Sequence, residues 1–309
     1  MILSEIRSKY ANYRFKKIRD LEVSVNNENN VIKASNSSPE RFNVNKKVQL
    51  KTLPTLLSIG KNVEYNVKSL KNNPSNPKTV VSKDFIPKFE KYARSIGIKG
   101  VGYTKVQPDL IFKDRAILFE NAIVFTKEID QFVVDNDFPE KQAKDLKLYD
   151  EFGKKTNELV DYLRENGFSA QATHPSLGFV TYPSLAQSAG LGWRGKSNLL
   201  ITPELGPRQK ISAIFTSIEN LPIKEYNEHS WISDYCNNCG KCIKTCPRNA
   251  IVEKSDKFNV SGFIPELCKG CTDICTICMK ECPFNKREYY HLKSRFEKNQ
   301  LVNINIEDF

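Results

Sequence analysis

The cysteines constrain this 309-residue chain more than any other feature, because all nine lie between Cys236 and Cys282. A disulfide framework normally distributes its cysteines over the body that it cross-links, and an odd number leaves one thiol over. Clustering at one end of a long chain is instead typical of metal ligation in a reducing compartment. We therefore predict a cytoplasmic protein that holds a metal cluster.

The cysteines form two runs with nearly the same spacing. The first is Cys236-x2-Cys239-x2-Cys242-x3-Cys246-Pro247, and the second is Cys275-x2-Cys278-x3-Cys282-Pro283, preceded by Cys268 and Cys271. In bacterial ferredoxins with this spacing, three thiolates hold one cubane and the cysteine before proline ligates the other. Four thiolates also suit zinc, but zinc does not need this duplicated rhythm.

The runs therefore predict two [4Fe–4S] clusters whose ligands cross over. The predicted ligands of the first cluster are Cys236, Cys239, Cys242 and Cys282. Those of the second are Cys246, Cys275, Cys278 and either Cys268 or Cys271.

Charge is concentrated at the start of the chain. The formal net charge is +11, and residues 1–85 hold 16 Lys and Arg against 7 Asp and Glu, together with 13 Asn. Such a segment can hold an acidic partner or nucleic acid. The same composition is typical of a loosely ordered, solvated segment, which is the interpretation we favour.

Neither export nor membrane insertion is predicted. No apolar run approaches the roughly 20 residues that span a bilayer. Glu5 and Arg7 stand where a signal peptide would have its apolar core.

Hydrophobic periodicity divides the chain into four regions: a basic, Asn-rich segment 1–80, an α/β domain 81–230, a dicluster domain 231–290 and a tail 291–309. Within the second region, helices are predicted over 85–93 and 141–165, with strands over 101–104, 121–126 and 168–172. Their alternation predicts a mixed α/β fold.

Residues 190–197, GLGWRGKS, match two phosphate-binding patterns at once. Both patterns need a preceding strand and a following helix, whose N-terminus faces the phosphate. Here a helix-like stretch precedes the loop and a strand-like stretch, 199–202, follows it. We therefore do not expect a nucleotide phosphate loop.

Residues 189–208, AGLGWRGKSNLLITPELGPR, precede the cysteine runs, and this order resembles the cobalamin-dependent reductases: reductive dehalogenases and epoxyqueuosine reductases. The resemblance covers roughly 85–287. ITPELGPR (201–208) and CTICMKECPFNK (275–286) look more like the dehalogenase branch. The resemblance implies a nitroreductase-like α/β domain that holds a corrinoid, followed by a ferredoxin-like domain that supplies it with electrons.

The resemblance also implies a function, namely reduction of a small organic substrate with electrons from a ferredoxin or flavodoxin. Epoxyqueuosine reductases carry an acid where this chain has Ser176, and the chain ends 27 residues after Cys282, without room for their tRNA-binding extension. Both features count against tRNA modification, the first alternative. The absence of a twin-arginine signal favours a non-respiratory relative. The second alternative is an electron-transfer or reductive-activation protein without its own corrinoid.

Candidate site residues follow from the same resemblance. Dehalogenases use a tyrosine as proton donor beside a basic residue that lowers its pKa. Lys196 matches the basic position. Tyr149, Tyr162 and Tyr182 are the candidate donors, with Tyr149 preferred, although half-buried packing is the more common role for any single tyrosine of this kind. His174 is a candidate corrinoid contact or proton relay, or simply a hydrogen-bonded loop residue.

The predicted corrinoid contacts lie in the Gly-rich segment and the strand after it: Gly190, Gly192, Trp193, Gly195, Lys196, Thr202, Pro203, Gly206 and Arg208. The alternative for Trp193 is packing, and for Arg208 it is an ion pair with a surface carboxylate.

Overall fold

The computed structural model describes residues 13, 15–21, 24–27, 29, 46–135, 140–253, 262–270 and 274–307. Most of residues 1–45, and with it the arm of the basic segment, lies outside the described residues, as does Cys271.

The strands belong to three antiparallel sheets. In chain order they are β1 Val25–Asn26, β2 Gly100–Lys105, β3 Ala116–Ile117, β4 Asn121–Glu128, β5 Ala170–Ala172, β6 Trp193–Arg194, β7 Leu200–Ile201 and β8 Gln209–Thr216. The central sheet has four strands in the order β2-β4-β8-β5, while β1 pairs with β3 and β6 pairs with β7.

The helices vary widely in length. They are α1 Lys46–Lys68, α2 Phe85–Ser95, α3 Gln131–Asp135, α4 Glu140–Glu165, α5 Tyr182–Ser188, α6 Trp231–Cys239, α7 Lys241–Thr245, α8 Ile277–Lys280, α9 Pro283–Lys286 and α10 Tyr289–Glu307. Two short 3-10 turns cover Ser69–Asn72 and Pro108–Leu110. None of the helices in the described ranges is both long and apolar enough to cross a membrane.

The central sheet is buried on both faces. Ile123 pairs with Ile214, and both pack in the core that includes α2 and α4. Their neighbours Val124 and Ala213 face the opposite core, which includes α5. Because successive side chains of a strand point to opposite faces, a strand covered on both sides has a continuous apolar sequence.

The predicted mixed fold is confirmed, and the sheet is antiparallel throughout. Helices α2 and α4 and strands β2 and β4 lie where periodicity predicts them. The strand predicted over 168–172 is shorter, at Ala170–Ala172.

The long helix α1 corrects the expectation of a loosely ordered segment over its part of 1–80. Ile59 and Val63, four residues apart, are buried in the core. Asn62 donates a hydrogen bond to Asp150 of α4 over 2.9 Å, and the Tyr65 hydroxyl donates to Asp161. Pro54 and the neighbouring asparagines hide this helical stripe in the sequence, and burial against α4 stabilises it.

Candidate functional site

The first cysteine run folds around a glycine turn. Helix α6 ends at Cys239, and Gly240 takes a left-handed conformation with φ of 57° before α7 begins at Lys241. Side chains other than glycine rarely adopt this conformation, so glycine allows the sharp turn. The turn brings Cys239 and Cys242 to the same small cavity.

The first group of thiols brings both runs together. Cys236, Cys239, Cys242 and Cys282 line this cavity together with Cys278, which also borders the second group. Burial, together with the nearby Cys236, Cys242 and Cys239, raises the pKa of Cys282 to about 12. Burial likewise raises the pKa of Cys236 to about 11.

A second group surrounds Cys278. Burial raises the pKa of this thiol to about 12, and the nearby thiols of Cys268, Cys275, Cys242 and Cys246 also raise it. The Cys246 sulfur accepts the Ala250 backbone N–H over 3.3 Å, and the Cys268 sulfur accepts that of Gly270 over 3.4 Å. Cys242 belongs to the first group, so the two groups are adjacent.

The donor set fits a bound metal cluster. None of the eight described cysteines is in a disulfide. Buried thiols with raised pKa values remain protonated, and a cationic cluster stabilises the thiolates that ligate it. Backbone N–H groups already approach the sulfurs of Cys246 and Cys268, as they do around iron–sulfur clusters.

The Gly-rich loop belongs to the first thiol group. Helix α5 precedes this loop and strand β7 follows it, which is the reverse of the strand–loop–helix order that a phosphate loop needs. A Cβ on Gly195 would lie 3.4 Å from the Cys236 sulfur, so glycine leaves room at the thiols. The Nζ of Lys196 pairs with Glu253 at 2.5 Å.

Two further glycines allow close backbone packing, Gly206 against the cysteine segment and Gly192 against strand β7. Gly206 has φ of 54°, and a Cβ there would meet the Phe284 carbonyl oxygen at 2.1 Å. A Cβ on Gly192 would meet the Ile201 carbonyl oxygen at the same distance, inside the β6–β7 hairpin. The hairpin and the following loop therefore pack backbone to backbone.

The polar side chains among the predicted corrinoid contacts already have partners within the chain. Thr202 bonds Gln209 over 3.1 Å. Arg208 donates to Glu128 over 3.2 Å and to the Ile129 carbonyl over 2.8 Å. These bonds hold both side chains in place, and their role as corrinoid contacts stays a prediction. Gly190, Trp193 and Pro203 lie in the same hairpin region.

Tyr149 lies beside a buried ammonium that the sequence did not indicate. The Lys210 Nζ is 3.9 Å from the centroid of the Tyr149 ring and 2.8 Å from the Asp145 carboxylate. Burial lowers the pKa of Lys210, but Asp145 and Tyr149 raise it by more, so the amine stays charged. A lysine on a strand as buried as β8, where it needs a charged partner, is the signal that could have revealed it.

Helix α4, which carries Tyr149, contacts the segment of the second thiol group. Lys141, on the same helix as Tyr149, donates to the hydroxyl of Thr276 over 2.9 Å. That hydroxyl donates to the Val134 carbonyl over 3.0 Å. Leu148 packs in a cluster with Met279, which follows Cys278 in the chain.

Tyr182 and Tyr162 lie elsewhere. Burial raises the pKa of Tyr182, whose hydroxyl oxygen lies 2.5 Å from the Thr173 hydroxyl and 2.9 Å from the His174 carbonyl oxygen. Tyr162 stacks on Tyr92 with centroids 4.9 Å apart, beside a cavity of about 510 Å³ that no cysteine lines.

His174 is buried in the body of the protein. Burial lowers its pKa to about 3, so the ring is neutral. Its Nδ1 lies 2.7 Å from the Ser176 hydroxyl, and the ring packs so closely on α4 that a Cβ at Gly153 would meet Nε2 at 2.3 Å.

Comparison with known proteins agrees with this geometry. A family model described as a 4Fe-4S binding domain matches residues 229–252. An epoxyqueuosine reductase from Listeria monocytogenes is 24% identical over 257 residues, covering 67% of this chain and 66% of that protein. A tetrachloroethene reductive dehalogenase from Desulfitobacterium hafniense is 29% identical over 161 residues, covering 52% of this chain and 28% of that protein.

A solved structure shares the fold. A catabolic reductive dehalogenase in complex with 3-bromo-4-hydroxybenzoic acid superposes with a TM-score of 0.59 at 19% identity, covering 84% of this chain and 42% of that chain. The matched region thus spans just under two thirds of the epoxyqueuosine reductase and under a third of the tetrachloroethene dehalogenase. The chain is thus similar both to epoxyqueuosine reductases and to reductive dehalogenases, and its residues 229–252 match the 4Fe-4S binding domain.

Proposed function

We propose that this protein is a reductase that passes electrons through two [4Fe–4S] clusters to a buried site beside Tyr149. The observation that carries the proposal is the crossed grouping of the thiols. Cys282 of the second run lies with the first group, and Cys246 of the first run lies with the second. Crossed ligation is the pattern of two-cluster ferredoxins.

Cys268 is the fourth ligand of the second cluster in this proposal. The observation that supports it is the proximity of Cys268 to Cys278. The second cluster would then take Cys246, Cys268, Cys275 and Cys278. The cytoplasm, predicted from the cysteine distribution, would keep the ligands reduced.

We further propose a corrinoid as the electron acceptor, following the resemblance to both reductase branches. A bound corrinoid would supply a cobalt centre that accepts electrons and reacts with the substrate. The paired side chains of Thr202 and Arg208 do not support direct contacts to it. In this proposal the thiols of the chain hold the clusters that transfer electrons, and Tyr149 serves the substrate.

Tyr149 is the proposed proton donor, with Lys210 in place of Lys196 as its basic neighbour. A neighbouring ammonium favours the phenolate left after proton donation from the Tyr149 hydroxyl. Asp145 holds the Lys210 amine in position over 2.8 Å. Tyr149→Phe should lower turnover by roughly 100-fold or more while the iron content stays constant. Tyr162→Phe is the matched control, because Tyr162 lies away from the thiols, and an equal loss there would overturn the assignment.

The proposed substrate is a small organic molecule, such as an organohalide. The relatives support the alternative, an epoxyqueuosine in tRNA, equally well. Ser176, where epoxyqueuosine reductases carry an acid, favours the small molecule. In this structure its hydroxyl is 2.7 Å from His174 Nδ1.

Anaerobic purification in the presence of hydroxocobalamin tests the proposal. Two cubane clusters and one corrinoid correspond to about eight irons and one cobalt per chain. Full iron without cobalt would overturn the corrinoid and favour an electron-transfer protein. With cobalt bound, turnover of organohalides and of epoxyqueuosine-containing tRNA separates the two substrates.

A further inference from the structure

Exposed cations surround the first thiol group. They come from α7, from the residues after Cys246, and from the segment around Cys282. We call this set the basic rim: Lys241, Lys244, Arg248, Lys280, Lys286 and Arg287, all exposed.

Four cations of the basic rim lie close to Glu281 and Tyr235, beside the first thiol group, and Lys244 and Arg248 are exposed on either side of Cys246. Three cations of the rim lie near Glu281. Lys286 pairs with its carboxylate at 2.7 Å and lowers the pKa of the carboxyl, and Lys280 and Lys241 lower it as well. Arg287 also lies near Tyr235. Burial and the nearby Cys239 and Cys282 raise the pKa of the Tyr235 hydroxyl, and Arg287 lowers it. Cations from both cysteine runs therefore meet over the first thiol group.

Much of this charge is not neutralised within the protein. Lys286 pairs with Glu281, and Lys280 lies 3.9 Å from Asp135. Within the described part of the chain, Lys244, Arg248 and Arg287 form no ion pair. Unpaired exposed cations attract an oppositely charged partner and speed its approach.

The thiols lie just beneath the rim. Cys239 and Cys242 are partly exposed, and the residues around them, Asn237, Asn238 and Lys241, are exposed. The edge of the first group that carries Cys239 and Cys242 therefore faces the surface, where a docked redox centre can approach it. Adjacent Cys242 and Cys278 connect the two groups. Thr276 in turn contacts Lys141 of α4, the helix that carries Tyr149.

We propose that the basic rim docks an acidic protein carrying a low-potential, one-electron centre, and that electrons enter at the first thiol group. This inference rests on the proposed reductase function. A small, transient, charge-steered contact suits the exposed cations, because redox partners must dissociate after each transfer. The partner is oxidised by one electron at each encounter, and the first cluster is reduced by the same electron.

Rapid mixing of the anaerobic holoprotein with a reduced acidic flavodoxin tests the inference. The variant Lys244→Glu/Arg248→Glu/Arg287→Glu reverses three rim charges without touching a cysteine. Its rate constant for cluster reduction should fall by roughly tenfold or more at low salt, and the salt dependence should flatten. The matched control, Lys83→Glu/Lys88→Glu/Lys91→Glu, reverses three exposed cations in and beside α2 and should keep the wild-type rate.

A small neutral reductant, the photochemically generated deazaflavin radical, separates this inference from the proposed function. The rim variant should keep its iron and be reduced by the radical at the wild-type rate. If the protein binds no iron, the reductase proposal fails and the rim inference fails with it. Full iron with a flavodoxin rate that the rim variant leaves unchanged overturns the docking inference alone. The docking inference is also overturned if the rim variant loses tRNA binding but is still reduced by flavodoxin at the wild-type rate.

Discussion

The central sheet and the cysteine segment are stabilised in different ways. Ile123, Phe125 and Phe215 are fully buried between two apolar cores. Helices α6 to α9 have only four to nine residues each, and the described cysteines among them are half-buried. Helices this short are marginal alone. The sheet body therefore folds by burying two large apolar cores, whereas the cysteine segment has a small apolar cluster around Ile232 and Phe284 and, in the proposed function, gains stability from metal–thiolate bonds.

Iron removal should separate the two regions most clearly. Metal–ligand bonds supply on the order of 10 kcal/mol to the folding of small structural sites. After anaerobic chelation, the amides of 231–290 should lose protection from hydrogen exchange while those of β4 and β8 keep it. Simultaneous loss in both regions would show that the sheet also depends on the clusters.

Within the cysteine segment, two serine variants distinguish Cys268 from Cys271 as the fourth ligand of the second cluster. Cys268→Ser should lose about half of the iron, because a [4Fe–4S] cluster needs four ligands. Cys271→Ser should keep all of it. Iron analysis and low-temperature electron paramagnetic resonance of both variants provide the measurement, and the reverse pattern would assign Cys271 instead.

Phe125→Ala should destabilise the sheet body without altering the clusters. Truncation of a fully buried phenylalanine costs about 3–5 kcal/mol. Urea unfolding followed by circular dichroism measures the loss, while iron per folded chain should stay constant. The control Tyr226→Ala removes a ring that is 79% exposed and should change stability little.

His174 should make the sheet body sensitive to acid. Because burial lowers its folded-state pKa from 6.5 to about 3, the unfolded chain binds a proton that the folded chain does not. Stability therefore falls as pH decreases below about 6.5, by about 2 kcal/mol between pH 7 and pH 5. His174→Gln should flatten this dependence in urea midpoints measured at the two pH values.

Exposed His291 is the control for that prediction, since its replacement by glutamine should leave the pH dependence unchanged. An unaltered slope in His174→Gln would instead assign the acid sensitivity to other groups.

Sequence patterns predicted the elements whose signal is local. Helix α4 and strand β4 follow directly from the apolar periodicity of 141–165 and 121–126. Helix α1 was missed, because Pro54 and its polar neighbours weaken the local signal and the stabilising contacts come from α4. Periodicity reports what a segment can bury, but not which distant segment covers it.

The spacing of the cysteines by itself determined the nature of the site, because ligands within a few residues share one short loop. Tertiary structure alone decided which basic residue lies beside Tyr149. Lys210 is 61 residues away in the chain, and it reaches the ring because α4 packs on β8. The tertiary structure also places the backbone of Gly206 against the Phe284 carbonyl. Such contacts depend on how separate elements pack, and no short sequence pattern records that packing.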